Sequence, residues 1–290
     1  MENMGSTNPF PTPDPHDPSI QHWENGLALY SNFITPQEEA EIIASIQKDD
    51  RWCGIGKRQT MHYGAHFDYT TFCASEMWTD VPGWIERLVG RLPFREEGGT
   101  VDQFTVQYYP PGTGIPPHVD THSAFGEFLY SLSLGSAVPM GFKRCGENEA
   151  RKMRRPKRSL GEGVGVGSGR ARAQAQDDGE EKWEVWLGER SLLVMRGEAR
   201  YGFVHGIRGR KFDGEGVKRR REGRWSLTMR SVKRGAEMGC ECAFPGVCDA
   251  RVREEREREE EKNKNENENE NQREGEIQEK LDALPIVPSE

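Results

Sequence analysis

Short apolar and β-branched runs dominate the chain from residue 103 onward, and Gly, Pro and polar residues separate them. Runs of this kind, with turn residues between them, are typical of strands in an all-β domain. Eight such runs suit two facing sheets of the jelly-roll type. We therefore predict a mainly β fold with flanking helices. The predicted strands are residues 104–109, 115–121, 128–134, 138–142, 183–187, 191–196, 200–207 and 225–232.

The pattern before residue 103 indicates one strand and two helices. Residues 27–34 (LALYSNFI) are mostly apolar and predict a strand. Thr35, Pro36 and Glu38 supply an N-cap, an early proline and an acidic first turn, so we expect a helix from here to about Gln47. Apolar residues at helical spacing in residues 81–92 predict the second helix.

Both ends of the chain and two inner segments are too polar to pack into a core. Residues 1–22 are rich in proline and are expected to form a disordered leader. Residues 251–290 are strongly charged and lack an apolar face, so we predict a disordered tail, with a solvated helix in its first half as the alternative. One domain is then expected over residues 23–250, with polar inserts at 144–181 and 209–223.

The net charge of −8 does not exclude a polyanionic partner, because residues 251–290 alone carry 14 acidic and 8 basic side chains. Residues 143–172 carry 10 basic and 3 acidic side chains, and residues 218–224 add a second basic run. Such segments either bind phosphates or are solvated low-complexity inserts. The chain has no apolar run of about 18 residues and no signal-peptide pattern, so we expect no membrane partner and a cytoplasmic or nuclear location.

Three residues are candidate ligands of one metal ion. His118 and Asp120 are two positions apart in a predicted strand, so their side chains should share a face, and His205 ends the apolar run YGFVH. Two imidazoles and one carboxylate form the facial arrangement that binds non-haem Fe(II) and leaves positions open for a co-substrate and O2. The alternative is a chance triplet and an ordinary polar histidine. We expect alanine at His118 or Asp120 to abolish turnover and leave the fold intact.

The segment RWSLTMR predicts a strand with one polar face, formed by Arg224, Ser226, Thr228 and Arg230. Two buried arginines require a compensating anion. A dicarboxylate would serve, because a guanidinium binds a carboxylate through two parallel hydrogen bonds. The alternative is an edge strand with two solvated arginines.

Cys240, Cys242 and Cys248 lie within nine residues, which favours a metal site over a disulfide. With His122 they would complete a closed zinc site of three thiolates and one imidazole. If the strand stays extended, His122 lies about 13 Å from His118 and cannot reach the same ion. The rival interpretation is a reduced cluster with His122 facing substrate. We favour structural zinc.

These motifs occur in an order that resembles the AlkB family of Fe(II)/2-oxoglutarate-dependent dioxygenases. The shared order is QYYPPG at residues 107–112, then HVD, a distant His, and R-x-S-x-T-x-R. The resemblance covers about residues 25–250 and implies a double-stranded β-helix core. The segments IPPHVDTHSAFGEFLYSLSLGS and CECAFPGVCD are similar to the branch whose animal members modify the wobble uridine of tRNA.

The resemblance implies iron bound by His118, Asp120 and His205, and it supports the structural zinc. It also implies oxidative decarboxylation of 2-oxoglutarate with O2 to succinate and CO2, coupled to hydroxylation of a substrate C–H bond. Gln107 and Ser226 stand where the family usually has Asn, but neither change removes a charge or a metal ligand. The residues implied to hold 2-oxoglutarate are Tyr109, Arg224 and Arg230.

The implied substrate is a modified nucleobase, with the tRNA wobble uridine as first hypothesis. Oxidative demethylation of alkylated DNA or RNA is the second hypothesis, and a catalytically silent nucleic-acid-binding module is the third. The chain has no room for the RNA-recognition and methyltransferase domains of the animal members. A separate methyltransferase or RNA-binding protein is therefore expected to deliver the substrate.

Overall fold

Two facing β-sheets form the body of the protein in a computed structural model, which describes residues 12–55, 58–68, 73–146, 181–214 and 218–282. The strands of the larger sheet are β1 (Thr12–Pro13), β2 (Ile20–His22), β3 (Leu27–Tyr30), β4 (Cys53–Ile55), β5 (Arg58–Asp68), β6 (Cys73–Thr79), β7 (Gln103–Tyr109), β9 (Phe125–Gly135), β12 (Leu192–Met195) and β16 (Arg224–Val232). Their order is β1-β2-β3-β12-β9-β16-β7-β5-β4, with β6 paired to β5.

In the part of the chain that the structure describes, the smaller sheet has four strands, and a short hairpin lies outside both sheets. These strands are β8 (Ile115–His118), β10 (Val138–Arg144), β11 (Lys182–Leu187) and β13 (Phe203–Ile207) in the sheet, and β14 (Phe212–Asp213) and β15 (Arg219–Arg220) in the hairpin. The order in the sheet is β11-β10-β13-β8. Non-consecutive neighbours in both sheets are typical of a jelly roll, and the predicted mainly β jelly-roll fold is confirmed.

Within the described residues, four α-helices accompany the sheets: α1 (Pro36–Lys48), α2 (Gly83–Val89), α3 (Gly197–Tyr201) and α4 (Asp249–Asp282). The first begins as predicted, because the Thr35 hydroxyl accepts the Glu38 amide while the Glu38 carboxylate accepts the Thr35 amide. Helix α2 is shorter than the predicted residues 81–92 and buries Trp84, Ile85 and Leu88. Among the described residues, none of the helices is long and apolar enough to cross a membrane.

The strands separate two apolar cores because their side chains alternate between faces. One core lies between the larger sheet and helices α1 and α2, and it contains Leu227 and Met229 of β16. The second lies between the two sheets, where Phe125 and Leu129 meet Phe142 of the smaller sheet. The polar positions of β16 therefore face the space between the sheets.

Both ends of the chain contain regular secondary structure where the sequence predicted disorder. Within the expected leader of residues 1–22, β1 and β2 add to the sheet through β3, and Asp14 and Asp17 accept hydrogen bonds that stabilise the turns between them. Within the expected disordered tail of residues 251–290, α4 continues to Asp282. Glu and Arg favour helix, and pairs such as Arg256–Glu260 and Glu254–Arg258 add i,i+4 support without any apolar face. Residues 1–11 and 283–290 lie outside the described part of the chain.

The structure describes little of the first predicted insert and most of the second. Residues 147–180, most of the first insert, lie outside the described residues. The second insert at 209–223 contains the hairpin β14–β15, which a buried ion pair holds in place: Arg221 binds Asp213 through contacts of 2.6 and 2.5 Å. Strands β4 to β6 were not predicted, because β5 has Gly64 in its middle and two histidines among its apolar positions.

Candidate iron and co-substrate site

A polar floor lies on the side of the larger sheet that faces the smaller sheet. Antiparallel pairing sets the polar positions of β16 opposite polar residues of β7 on one side and of β9 on the other, and directly paired residues share a face. The alternation predicted for RWSLTMR is therefore present, and the edge-strand alternative is wrong because β16 lies between two partners. The floor consists of Arg224, Ser226, Thr228, Arg230, Gln103, Thr105, Gln107, Tyr109, Ser131 and Ser133.

The three candidate iron ligands meet above this floor. His118 and His205 are directly paired on β8 and β13, and their ring centroids are 4.5 Å apart. Strand β8 ends at His118, so Asp120 lies beyond the strand and not within it as the sequence suggested. The irregular segment after β8 still places its carboxylate beside the two imidazoles, and the three ligand atoms lie within 4.8 Å of one another. The donor set of two imidazoles and one carboxylate fits Fe(II).

The environment favours the protonation states that a metal requires. Burial by itself raises the pKa of Asp120, but the charge of the neighbouring Arg230 guanidinium holds it well below its usual range. Burial, with the nearby His118, lowers the pKa of His205 to about 3. A carboxylate and a neutral imidazole are therefore present at neutral pH, and both are competent ligands.

Arg230 binds an iron-ligand candidate directly, which the sequence did not reveal. Its Nη1 donates to Asp120 Oδ1 at 2.7 Å, its Nε donates to Gln103 Oε1 at 2.9 Å, and its Nη2 donates to Thr105 Oγ1 at 3.1 Å. Gln103 and Thr105 were also missed, although their alternate positions on β7 could have identified them. A charged hydrogen bond of this kind orients the ligand carboxylate.

Arg224 lies at the other end of the polar floor and is only 2% exposed. Its Nη2 donates to Ser133 Oγ at 2.9 Å, whereas its buried Nε has no hydrogen-bond partner among the described residues. The guanidinium carbon is 5.3 Å from the centre of the Tyr109 ring, and the Tyr109 hydroxyl donates to Gln107. Burial lowers the pKa of Arg224. The described residues offer it no carboxylate, so this buried cation fits an anionic ligand.

The second cluster joins His122 to the three predicted cysteines, whose ligand atoms also lie within 4.8 Å of one another. His122 Nδ1 is 3.5 Å from Cys242 Sγ, and Cys248 is fully buried. Hydrogen bonds from the other two thiols, followed by one from His122, lower the pKa of Cys240. Three sulfurs and one imidazole fit Zn(II), and the imidazole belongs to this cluster and not to the histidine–aspartate site.

Comparison with known proteins agrees with this geometry. A chain from Arabidopsis thaliana described as "Alkylated DNA repair protein ALKBH8 homolog" is 31% identical, over 78% of this chain and 63% of its own length. The "tRNA (carboxymethyluridine(34)-5-O)-methyltransferase alkbh8" of Xenopus tropicalis is 33% identical, over 78% of this chain and 34% of its own length. The chain thus spans between one third and two thirds of these relatives.

The fold has a counterpart among solved structures. "The structure of OsALKBH1" superposes with a TM-score of 0.50 at 16% identity and covers 73% of this chain and 99% of that chain. The model of the "2OG-Fe(II) oxygenase superfamily" matches residues 26–230, which include both histidines, the aspartate and both arginines of the site. The chain therefore belongs to the 2OG-Fe(II) oxygenase superfamily, a group of 2-oxoglutarate-dependent oxidoreductases.

Proposed function

We propose that the protein is an Fe(II)/2-oxoglutarate-dependent dioxygenase that hydroxylates a modified nucleobase, the wobble uridine of tRNA. The observation that carries the enzymatic half is Arg224, a buried cation without a carboxylate partner among the described residues, on the same polar floor as the histidine–aspartate site. A bound dicarboxylate would compensate this charge. A silent module would have no reason to keep that charge buried.

Each residue has a defined task in this proposal. His118, Asp120 and His205 would hold Fe(II), which when bound supplies the redox chemistry that couples decarboxylation of 2-oxoglutarate to hydroxylation of a C–H bond. Arg224 and the Tyr109–Gln107 pair would bind the carboxylate of 2-oxoglutarate far from the metal. Arg230, which the family resemblance assigns to 2-oxoglutarate, would in this proposal keep the Asp120 carboxylate oriented toward the metal.

The proposed nucleic-acid substrate is supported by the printed names of the relatives and by the hairpin β14–β15. Phe212 and Arg220 are directly paired and therefore share a face, and Phe212 is 52% exposed. Arg221 holds the hairpin to the body, since its Nη1 also donates to the Arg208 carbonyl at 2.8 Å. An exposed aromatic ring beside cations suits stacking with an unpaired base and contact with phosphates. The exposed cations here are Arg208, Lys211, Lys218, Arg219 and Arg220.

Phe212→Ala is expected to weaken binding of a single-stranded RNA oligonucleotide by about 1 kcal/mol or more, because a stacking surface is lost. Arg220→Ala should weaken it too and reduce the dependence of affinity on salt. Fluorescence anisotropy at several salt concentrations measures both effects. Trp186→Ala is the matched control, since this ring is 44% exposed on the edge strand β11. If Phe212→Ala and Arg220→Ala bind the RNA as tightly as the unmodified protein, the hairpin is not part of the RNA-binding surface.

The name of the Arabidopsis relative favours a second candidate, oxidative demethylation of alkylated DNA or RNA. The two candidates share the iron and co-substrate site and differ in the nucleobase substrate and in the product. We would compare tRNA nucleosides by mass spectrometry in cells with and without the gene. Loss of a hydroxylated wobble uridine supports the first candidate, whereas intact tRNA together with accumulated methylated bases supports the second. In either case a separate methyltransferase or RNA-binding protein is a proposed partner for delivery of the substrate.

The test of the enzymatic half does not depend on knowing which nucleic acid is the substrate. Purified protein with Fe(II) and O2 should release succinate from 2-oxoglutarate slowly, and nucleic-acid substrate should accelerate the release. No succinate with any nucleic acid, in protein shown to contain iron, would contradict an active dioxygenase and favour the silent module.

We also propose that the second cluster binds structural zinc. Cys242→Ala is expected to lower both zinc content and melting temperature, because the cluster connects residues 240–248 to His122 in the turn before β9. Cys53→Ala is the control, since Cys53 is an exposed free cysteine on β4. Metal analysis and thermal unfolding are the measurements. Unchanged zinc content and melting temperature in Cys242→Ala would refute the zinc site.

A further inference from the structure

A short irregular segment, residues 120–123, belongs to both metal clusters. It follows the end of β8, and the residues between β8 and β9 form a coil and a turn. Asp120 is a member of the histidine–aspartate group and His122 is a member of the cysteine group. Since no strand or helix supports this segment, its conformation depends on the side chains that bind its backbone.

Arg200 binds the carbonyl groups of this segment. Its side chain is among the largest that are fully buried, with 1% exposed. Nη1 donates to the Asp120 carbonyl at 2.8 Å and Nη2 donates to the Thr121 carbonyl at 2.7 Å. Arg200 lies in α3, shortly before the strand that carries His205. A guanidinium is planar, so both contacts constrain the two carbonyls together.

Asp249 binds the next amides of the same segment. Its Oδ1 accepts from the His122 amide at 2.7 Å and from the Ser123 amide at 3.0 Å, while its Oδ2 accepts the Ser123 hydroxyl. Asp249 directly follows Cys248 and is the first residue of α4. The carboxylate is therefore connected through one peptide bond to a member of the cysteine cluster.

We infer that Arg200 and Asp249 are positioning residues that couple the two metal clusters. This inference rests on the proposed iron site. The Arg200 guanidinium binds the carbonyls of residues 120–123, and the Asp249 carboxylate binds the amides of the same segment. Because Asp249 follows Cys248, a metal ion that orders the cysteine cluster also fixes this segment and with it the position of the Asp120 carboxylate. Zinc and the active-site metal then bind with positive linkage, and each raises the affinity for the other by the same factor.

The test measures metal affinity without turnover. Mn(II) is the probe, because it prefers oxygen and nitrogen ligands and does not displace zinc from thiolates. Loss of the free Mn(II) signal in electron paramagnetic resonance, at saturating 2-oxoglutarate, gives its dissociation constant. Asp249→Ala is expected to raise this constant by about tenfold or more, as loss of groups that orient a metal ligand does. Glu254→Ala, at an ion-paired position of α4, is the matched control and should behave as the unmodified protein.

Two further measurements separate the outcomes. Arg200→Lys keeps the positive charge, but a lysine cannot bind both carbonyls in the same way. Position 200 is not a member of the cysteine cluster, so the variant should keep its full zinc content. We expect it to bind Mn(II) more weakly nevertheless. Asp249→Asn should recover part of the affinity, because Oδ1 remains an acceptor. Mn(II) affinity within about twofold of the unmodified protein in both Asp249→Ala and Arg200→Lys would overturn the coupling. If His118→Ala binds Mn(II) as tightly as the unmodified protein, the proposed iron site fails instead.

Discussion

His118→Ala is expected to abolish iron-dependent succinate release while the melting temperature of the metal-free protein stays within about 1 °C of the original. The imidazole is partly exposed, and its Nδ1 contacts the Pro116 carbonyl at 2.9 Å. Its removal therefore costs a metal ligand but little packing. Succinate assays and thermal unfolding on the same sample check both halves. Residual turnover above about one hundredth of the original would contradict the assignment of His118.

Asp120→Ala should abolish turnover as well, but with a different effect on stability. The Asp120 carboxylate pairs with Arg230, whose side chain is only 4% exposed, so its removal takes a carboxylate away from a buried cation. Breaking such a pair costs about 3–5 kcal/mol. The expectation from sequence that either alanine substitution leaves the fold intact therefore changes for Asp120. Chemical unfolding of the metal-free variants measures the difference, and equal stability of the two would show that Arg230 finds another partner.

Arg224→Met is expected to raise the KM for 2-oxoglutarate by about 30-fold or more. The guanidinium is buried, and loss of one member of a buried charge pair costs about 2–5 kcal/mol of binding. The same substitution should leave the stability without co-substrate unchanged or higher, because methionine removes a buried charge that lacks a carboxylate partner among the described residues. The substitution should therefore weaken the binding of 2-oxoglutarate without lowering the stability of the protein in its absence.

Thermal unfolding with and without 2-oxoglutarate tests this prediction directly. Saturating co-substrate should stabilise the unmodified protein by about 2.7 kcal/mol at one hundred times its dissociation constant, and it should not stabilise Arg224→Met. Arg220→Met is the control, because this arginine is exposed on β15. If Arg224→Met has the same KM for 2-oxoglutarate as the unmodified protein, another cation must bind the carboxylate of the co-substrate.

Several elements of the site were predictable from local pattern. The alternation in RWSLTMR places Arg224 and Arg230 on one face whatever the partners of the strand are, because side chains in a strand alternate. The identities of His118, Asp120 and His205 restricted the metal through their chemistry. The cysteine spacing likewise indicated the second cluster.

Other parts of the fold had no local signal. Strand β5 interrupts its own alternation at Gly64, where φ is 71° and a Cβ would lie 2.1 Å from the Asp102 carbonyl oxygen. Tyr63 packs in the core between the larger sheet and helices α1 and α2, whereas Ala65 packs in the core between the two sheets. No two-residue period describes such a strand, so the β5–β6 hairpin was missed.

The sequence alone determined the fold class and the inward direction of the arginines, and it identified the candidate metal ligands, because strand periodicity and ligand chemistry can be recognised from local residues. Only the tertiary structure decided which charges meet. Arg230 reaches Asp120 across 110 positions, Arg200 reaches the Asp120 carbonyl across 80, and Asp249 reaches the His122 amide across 127. Contacts at such separations arise from the pairing of whole strands and from the packing of α3 and α4, which no local pattern specifies.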